Sequence, residues 1–581
     1  MNEEILRRSG SLNPHSVTRH VPLLAALVML LCATGALAQT TDLWFGCLNN
    51  YEDSTGKYIN LYVTSTVQTN IYVDMVNQAT KVLPVQPYSV AAFNIPISWE
   101  VKTSGILEHK GLHIWSTEGT ISAYVMSHNP YTSDGTAIIP PRAWGREYVV
   151  AAYNGLYGDT SKRDYPSEFL IVADQDNTVC TITPTADIRQ ESAPHLSPNI
   201  VLHRKGVPFV EILNKGDVIQ YKTTLVKNAT DYDLTGTYIR SNYAIGLLAG
   251  AQCTNVPSNF TTPSHLCEMI PPLRLWSKQY YSVPFYPANP GKQWSTFLVI
   301  GTQPNQIIRR LDPSGPEHVE CVFSKKYDHH YSDSIDQCSR WTSDAPFLLV
   351  QYVVGSTYPD SINGEGAPSE VIVSPVEQWS KRVVFQTPVS IGSVSPYRNY
   401  VNILVRNSAM NSTKFENQGI ANFTHLQIDS LYSVYRVSGV KAGAHSVVSD
   451  SNVGVYIYGY GQDEAYAWGE PISALSVPPD TATLPADTVT ADVAPPHAQT
   501  PTAHATLTLS ADGRTAHANI PPDWTQPFAL VIENLLGTKV LSLSGASVPH
   551  DFDLRALPNG AYIYRLSSGT ESAVGKLVIQ R

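Results

Sequence analysis

The chain carries four segments in which apolar and polar residues alternate over the length of a β-strand. They read NLYVTSTVQTNIYV from Asn60, FLIVADQDNTVCTI from Phe169, FLVIGTQPNQII from Phe297 and NILVRNSAMNST from Asn402. Each alternating run meets a polar turn, and in most cases a second short run follows, which predicts a β-hairpin. Helical periodicity is nearly absent between these segments. We therefore predict an all-β fold.

Two further landmarks accompany the alternating segments in a constant order. A short segment that begins with tryptophan, which we call the tryptophan lead, precedes each of the last three alternating segments and starts at Trp144, Trp276 and Trp379. A closing apolar strand follows each segment: ISAYVMS from Ile121, AIGLLAG from Ala244, FLLVQYVVG from Phe347 and VGVYIYG from Val453. This order predicts tandem β-sandwich-like repeats with approximate bounds 41–135, 136–265, 266–372 and 373–475. Each repeat is long enough to be a small domain, and the pattern leaves open whether the repeats pack in a row or in a ring.

Residues 1–38 have the pattern of an export signal. Three arginines precede an apolar run at 21–31, and Ala36 and Ala38 suit a cleavage site. No later run is longer or more apolar, and a membrane-spanning helix needs about 20 apolar residues. We therefore expect an exported chain with no transmembrane segment. A lipid anchor at Cys32 is the less favoured alternative because a bulky leucine precedes it.

A segment rich in Pro, Thr and Ala at 476–505 separates the repeat region, 39–475, from strands that resume at Leu507. Such a composition cannot bury enough apolar surface to order the chain, so we expect an extended spacer. The last part, 506–581, contains further alternating runs and ends in LRALPNGAYIYRLSSG and KLVIQR. We predict that it forms a separate β unit.

Composition narrows the classes of partner. Charged residues make up 15% of the chain, and the formal net charge is -10. The 32 tyrosines and 10 tryptophans favour strands. No basic pattern of the kind that holds phosphates is present, so nucleic acid is not an expected partner.

Six cysteines remain after removal of the signal, and an even number in an exported chain suggests disulfides. The candidate pairs are Cys253 with Cys267, Cys321 with Cys338 and, by elimination, Cys47 with Cys180. Each of the first two would close a loop of roughly 15 residues, worth about 3 kcal/mol. A metal site is the weaker alternative because no two of the six have the spacing of a zinc knuckle.

Patterns for catalysis and metal binding are weak. The best cluster is Asp328, His329 and His330 with Asp333 and Asp336. Adjacent histidines on an extended chain point to opposite sides, so a solvated loop tied by a disulfide is the favoured interpretation. No nucleophile elbow, zinc-protease pair or phosphate-binding loop occurs, and we expect neither an enzyme nor a cofactor.

Two tyrosine-rich runs, Tyr280–Tyr281 and Tyr456–Tyr460, are candidates for a sugar or protein contact surface. Tyrosine combines apolar area with a polar tip, which suits such contacts. A packed strand face explains the same runs more simply and is the favoured interpretation.

The C-terminal stretch resembles the type A sorting domain of the type IX secretion system of Bacteroidota-like Gram-negative bacteria. The residues that carry the resemblance are Gly537, Lys539, Leu557, Pro558, Gly560, Tyr562 and Lys576. The resemblance implies a small β-sandwich that the outer-membrane translocon recognises. A peptidase would then remove this domain, or the domain would be used to attach the protein to surface lipopolysaccharide.

The region from about Thr41 to Gly469 resembles the N-terminal domain of the IgGFc-binding protein family. Its landmarks include Thr41–Gly46, Lys110–Ile114 and Ser167–Ala173. The resemblance implies an extracellular binding or adhesion protein. The family name records an activity of particular members, so it does not imply that this chain binds immunoglobulin.

The main hypothesis is a secreted or cell-surface binding protein that type IX secretion delivers. Its expected partners are the secretion machinery and an extracellular protein or glycan that the sequence does not identify. An extracellular hydrolase of polysaccharide or protein would instead need paired carboxylates in a cleft. A structural surface-layer component is the third alternative and would assemble with itself.

Overall fold

The computed structural model describes the chain over residues 42–51, 55–157, 164–191, 200–224, 232–260, 262–286, 294–355, 366–389, 397–461, 463–470, 506–510, 514–519, 528–534, 539–545, 551–558, 560–568 and 571–579. Two compact units divide between Val489 and Thr490. The predicted export signal and the predicted spacer lie outside the described residues. Within the described ranges, no helix is long and apolar enough to cross a membrane.

The described residues form strands and short 3-10 helices, which confirms the all-β class. We divide the strands of the first unit into four consecutive modules along the chain, each built around one or two of the larger sheets. Module 1 contains β1 (Asp42–Phe45), β2 (Tyr58–Ser65), β3 (Thr69–Asp74), β4 (Lys81–Val85), β5 (Val90–Ile95), β6 (Leu107–Glu108), β7 (Leu112–Ser116), β8 (Ile121–Asn129) and β9 (Thr132–Ala137). Module 2 contains β10 (Gly145–Val149), β11 (Leu156–Tyr157), β12 (Asp164–Tyr165), β13 (Ser167–Ala173), β14 (Thr178–Thr183), β15 (Ile188–Arg189), β16 (Val201–His203), β17 (Phe209–Leu213), β18 (Val218–Lys222), β19 (Tyr238–Thr254) and β20 (Ser264–Met269).

Module 3 contains β21 (Ser277–Ser282), β22 (Ser295–Gly301), β23 (Ile307–Leu311), β24 (His318–Val322), β25 (His329–Ile335), β26 (Ser339–Val353) and β27 (Ser369–Ile372). Module 4 contains β28 (Ser380–Thr387), β29 (Arg398–Arg406), β30 (Lys414–Phe415), β31 (Gln418–Gly419), β32 (Thr424–Gln427), β33 (Tyr432–Val440), β34 (Gly443–Gly461) and β35 (Glu464–Gly469). The 3-10 helices span Ile97–Trp99, Pro141–Ala143, Leu273–Leu275, Val376–Gln378, Asn407–Ser412 and Ile420–Asn422.

Module 1 consists of two four-stranded sheets, β1-β7-β3-β4 and β5-β2-β8-β9, and of β6, which pairs with β18 of module 2. In modules 2, 3 and 4, one long strand pairs with both halves of its module: β19, β26 or β34. In β34, residues up to Val453 pair with β28, and residues from Gly454 onward pair with β29 and β35. The long strand therefore passes from one half of its module into the other, as strands do at the corners of packed sheets.

The two runs of an alternating segment do not pair with each other, so the predicted hairpins are wrong. β13 and β14 both pair with β19, while β22 and β23 both pair with β26. β2 and β3 belong to different sheets. The polar turn is a corner between the two halves of a module. Asn177 (φ 58°) and Asn305 (φ 60°) adopt the left-handed conformation at two of these corners.

The inner strands have apolar residues on both faces because each lies between two cores. In β13, Phe169 and Ile171 contribute to one core, whereas Leu170 and Val172 contribute to another. β22 divides its residues in the same way. A strand that is buried on both faces reads as a continuous apolar run, which is what the sequence FLIVA shows.

Each apolar core of the first unit joins two modules. Within the described residues, separate cores join modules 1 and 2, modules 2 and 3, modules 3 and 4, and modules 4 and 1. The last of these closes a ring, in which the rings of Tyr124 and Trp468 lie 5.2 Å apart. The sandwich-like packing is confirmed. It lies between modules, because the inner strands have no polar face that could be left in solvent.

The ring closes around four strands, β9, β20, β27 and β35. β9 contacts β20 and β35, and β27 contacts the same two strands. Asp134 on β9 accepts hydrogen bonds from the Ser369 hydroxyl (2.5 Å) and from the backbone N–H groups of Gly135 (2.9 Å), Cys267 (3.0 Å) and Glu370 (3.1 Å). One buried carboxylate thus links strands of modules 1, 2 and 3.

Two further acids lie beside Asp134, and we call the three residues the central acid cluster: Asp134, Glu268 and Glu370. All three are buried. The Glu268 Oε1 atom accepts a hydrogen bond from the Ile372 N–H (3.3 Å). Both carboxyl oxygens of Glu370 are buried without a hydrogen-bond partner among the described residues. An unpaired buried carboxylate is costly, so this position favours the neutral acid.

The tryptophan leads form one repeated corner. At each, a proline is followed by a 3-10 helix and then by the tryptophan. The indole N–H donates to a backbone carbonyl five positions earlier: Trp144 to Ile139 (2.8 Å), Trp276 to Pro271 (3.1 Å) and Trp379 to Ser374 (3.0 Å). Because all three side chains are buried, this hydrogen bond fixes where one module ends and the next begins.

The second unit contains two sheets, β36-β37-β40 and β39-β38-β41-β42. Their strands are β36 (Thr506–Leu509), β37 (Thr515–Asn519), β38 (Phe528–Asn534), β39 (Lys539–Gly545), β40 (Asp551–Asp553), β41 (Gly560–Ser568) and β42 (Glu571–Ile579). Buried residues of both sheets, such as Ala516 and Leu530, share one core. This arrangement is the small β-sandwich that the resemblance implied.

Candidate functional site

The structure forms none of the expected disulfides, since all six cysteines are free. Cys321 lies opposite Ile308, which in turn lies opposite Ser343. Cys338 is therefore two strands away from Cys321, about 10 Å across the sheet and about 16 Å along it. A disulfide requires Cα atoms about 4.4 to 6.8 Å apart.

The other two expected pairs are separated for similar reasons. Cys267 lies opposite Gly250, so Cys253 is three positions further along β19, or about 10 Å away. Cys47 and Cys180 belong to different cores on the two sides of the module 2 sheet. Cys47 and Cys267 share the core between modules 1 and 2, a proximity that the spacing in sequence did not indicate. Burial raises the pKa of the Cys253 thiol, which keeps it protonated.

Three members of the acid and histidine cluster, His329, His330 and Asp333, lie on β25, so the interpretation of the cluster as a loop is wrong. Asp328 and Asp336 flank the two ends of this strand. β25 begins at His329 and pairs with β22, and His330 lies opposite Val299. The Asp333 carboxylate accepts a hydrogen bond from Thr296 on β22 (2.9 Å). The residues HHYSDSI form an edge strand of module 3, and polar side chains of this strand make hydrogen bonds to other strands of the sheet.

The tyrosine-rich runs are buried. Tyr280, Tyr281, Tyr456, Tyr458 and Tyr460 all contribute to the core between modules 3 and 4. The packed-strand interpretation is therefore confirmed for these five residues, and they offer no contact surface.

Six of the seven sorting residues fall within the described ranges and lie on the β41 sheet or on the turn that precedes β41. Leu557 and Tyr562 are buried, and the Tyr562 hydroxyl donates to the Pro558 carbonyl (2.8 Å) across the turn. Gly560 begins β41, and Lys539 and Lys576 lie on β39 and β42. Gly537 lies outside the described residues. The turn is thus locked by one aromatic side chain, which explains the sequence LPNGAY as a structural unit.

The outward face of the sheet β1-β7-β3-β4 carries a concentration of aromatic and acidic side chains that sequence reasoning missed. Residues alternate across a sheet, so Tyr72 on β3 and His113 and Trp115 on β7 point away from the core. Tyr72 lies directly opposite Trp115, and Asp74 lies opposite His113. On the other side of β7, Asp42 lies opposite Trp115, and Trp44 lies opposite His113.

The aromatic rings of this face are stacked in two pairs. Tyr72 and Trp115 have ring centroids 4.2 Å apart, and Trp44 and His113 have centroids 4.5 Å apart. The Lys215 ammonium lies 5.5 Å from the Trp44 ring centroid. Tyr72 and Trp115 remain partly exposed, and Val82 beside Tyr72 is 51% exposed. We call Tyr72, Trp115, His113 and Trp44 the aromatic array.

Carboxylates fix the orientation of the aromatic array. The Trp115 indole N–H donates to Asp74 (2.7 Å), as does the Thr80 hydroxyl (2.7 Å). The His113 ring lies between two carboxylates: its Nε2 atom is 2.5 Å from Asp42 Oδ1, and its Nδ1 atom is 3.3 Å from Asp74 Oδ2. Partial burial alone would raise the pKa of Asp74, but the hydrogen bonds from Thr80, Trp115 and His113 outweigh it and lower that pKa. The Asp74 carboxylate is therefore ionised at neutral pH and holds its donors in place.

A polar cleft continues the same face at one end of the aromatic array. It has a volume of about 380 Å³ and is lined by Gln68, Thr69, Asn70, Pro84, Thr117 and Glu118. Asn70 and Pro84 lie opposite each other and are each two residues from the pair Tyr72 and Val82, so they share the outward face. The cleft thus presents amides, hydroxyls and a carboxylate beside the stacked rings. The alternation of His113 and Trp115 in LHIWS was the sequence signal for this face.

The chain belongs to the IgGFc binding protein family, whose pattern matches residues 134–459, more than half of the 581 residues. Residues 515–580 match the secretion system C-terminal sorting domain. This domain marks a type IX substrate, so the protein is secreted or lies on the cell surface. The families that match are a binding family and a secretion family.

Comparison with other proteins adds little to the family assignment. No curated protein matches the chain. One solved structure, titled "Biofilm associated protein - BSP domain", is similar at 8% sequence identity and a TM-score of 0.13, over 52% of this chain and 81% of that chain. A TM-score this low does not indicate a shared overall fold.

Proposed function

We propose that this protein is an extracellular binding and adhesion protein that holds its ligand on the outward face of module 1. The observation that carries the proposal is the aromatic array, which leaves Tyr72 and Trp115 partly exposed beside a polar cleft. Partly exposed aromatic residues with fixed polar partners are typical of recognition surfaces. The family membership and the sorting domain support the same class of function.

The scaffold beneath this face is suited to binding. The inward residues of the same strands, such as Ile71, Val73 and Ile114, are fully buried in the core between modules 1 and 2. The indole of Trp115 is held by Asp74, so little side-chain freedom is lost when a ligand binds. Preorganisation of this kind increases affinity because less conformational entropy has to be given up.

The proposal is tested by binding of the purified full chain to a panel of immobilised extracellular proteins, including immunoglobulin G and mucin, and of glycans. We expect at least one ligand whose affinity falls by about tenfold or more in Trp115→Ala and in Tyr72→Ala, which corresponds to about 1.4 kcal/mol each. Tyr243→Ala is the matched control because Tyr243 is 43% exposed on module 2. Ligand binding that is equal in all three variants would contradict a role for this face.

A further inference from the structure

We infer that the ligand of this face is an uncharged glycan whose terminal or internal sugar unit enters the cleft beside Tyr72 and Trp115. The inference rests on the proposed function and adds the chemical class of the ligand. It is carried by the chemistry of the cleft and by its position on the sheet.

The cleft offers hydrogen-bonding groups in the mixture that sugar hydroxyls require. Gln68 and Asn70 each provide an amide donor and an amide acceptor, and both side chains are exposed. Thr117 adds a hydroxyl, and Glu118 adds a carboxylate that can accept from two adjacent hydroxyls. A volume of about 380 Å³ lies at the lower end of the range for small-ligand pockets, which suits one or two sugar units.

The aromatic rings lie where the remainder of a glycan chain would pass. Thr117 follows Trp115 by two residues, and Asn70 precedes Tyr72 by two residues. Residues two apart on a strand are about 6.6 Å apart on one face, so the cleft and the Tyr72–Trp115 pair form one continuous surface. Sugar rings present C–H groups that pack on aromatic side chains while their hydroxyls reach the polar groups beside them.

The charge of the surface selects against acidic glycans. Glu118 lines the cleft, and Asp42 and Asp74 flank the aromatic array. The Lys215 ammonium lies over Trp44, on the β1 side of the sheet, and Lys215 does not line the cleft. A sulfate or uronate group in the cleft would face Glu118 without a cationic partner among its lining residues, and like charges repel.

The test uses the full chain with neutral probes, namely hexamers of glucose, mannose and N-acetylglucosamine, and with acidic probes, namely heparin and polygalacturonate. We expect binding to at least one neutral hexamer and to neither acidic polymer. Asn70→Ala and Glu118→Gln should each weaken binding of the neutral hexamer by about tenfold or more. Both residues are exposed, so these variants should keep the melting temperature of the parent chain.

Three results would overturn the inference: no binding to any neutral hexamer, binding to the acidic polymers alone, or neutral binding that is unchanged in Asn70→Ala and Glu118→Gln. These results are separable from failure of the proposed function. A protein ligand that depends on Trp115 but not on Asn70 or Glu118 would leave the proposed function intact and refute the glycan. A variant of Tyr243 serves again as the control that should bind as the parent does.

Discussion

Replacing Glu370 by Gln should stabilise the first unit at neutral pH. Glu370 is fully buried in the central acid cluster, and neither of its carboxyl oxygens has a hydrogen-bond partner among the described residues. Burial raises the pKa of Glu370 well above its ordinary value of 4.5, and the nearby acids Glu268 and Asp134 raise it further. As the pH rises above 4.5, the folded protein therefore retains this proton after the unfolded chain has released it.

The size of the effect follows from proton linkage. A group whose pKa is raised on folding contributes stability that is fully present below the unfolded pKa and is lost as the pH rises toward the folded pKa. Each pH unit in that window costs about 1.4 kcal/mol for one retained proton. The loss grows by this amount for each pH unit from 4.5 up to the raised pKa of the folded state and then stops growing. Gln has nearly the same shape as the neutral acid and has no such loss.

The assay is urea unfolding of the full chain, followed by tryptophan fluorescence at pH 4.5, 6.0 and 7.5. We expect the difference in unfolding free energy between Glu370→Gln and the parent to be near zero at pH 4.5 and to grow with pH. Glu317→Gln is the control because Glu317 is exposed on module 3. A difference that is flat across this pH range, or that falls as the pH rises, would refute the reasoning.

Three further predictions concern other parts of the molecule. Deleting 553–581 should leave the first unit folded and the protein in the periplasm, and finding the truncated chain in the medium by immunoblot would count against the sorting role. Trp144→Phe removes the donor to the buried Ile139 carbonyl and should lower the free energy of unfolding in urea by about 1 to 3 kcal/mol. An unchanged unfolding midpoint would argue against a stabilising role for this hydrogen bond. Because the six cysteines are free, a reducing agent should not lower the melting temperature of the exported protein. A fall of several degrees would show that the protein contains disulfides after all.

The strands were predictable from the sequence because the periodicity of side chains is local. The run FLIVA at Phe169 and the closing strand at Phe347 both lie where the pattern placed them. Their pairing was not predictable in the same way. A strand followed by a polar turn favours a hairpin on local grounds, but β13 and β14 are each held by β19, more than 50 residues later in the chain.

The candidate site depended on tertiary structure to a greater degree. Tyr72, His113 and Trp115 come from two strands that are about 40 residues apart in sequence, and Asp42 comes from a third. No local motif links them, and only their shared outward position brings them together. The cysteines failed as a guide for the opposite reason. Proximity in sequence suggested pairs such as Cys321 and Cys338, which the sheet then holds two strands apart.

The closure of the ring between modules 4 and 1 sets an order for maturation. Tyr62 and Trp468 share one core although some 400 residues separate them along the chain. During synthesis, the residues of module 1 that belong to this core remain exposed until the strands of module 4 have been made. A fragment that stops before Trp468 exposes these apolar residues of module 1, and exposed apolar surface promotes aggregation. We therefore expect the chain to need protection from aggregation during export until module 4 is complete.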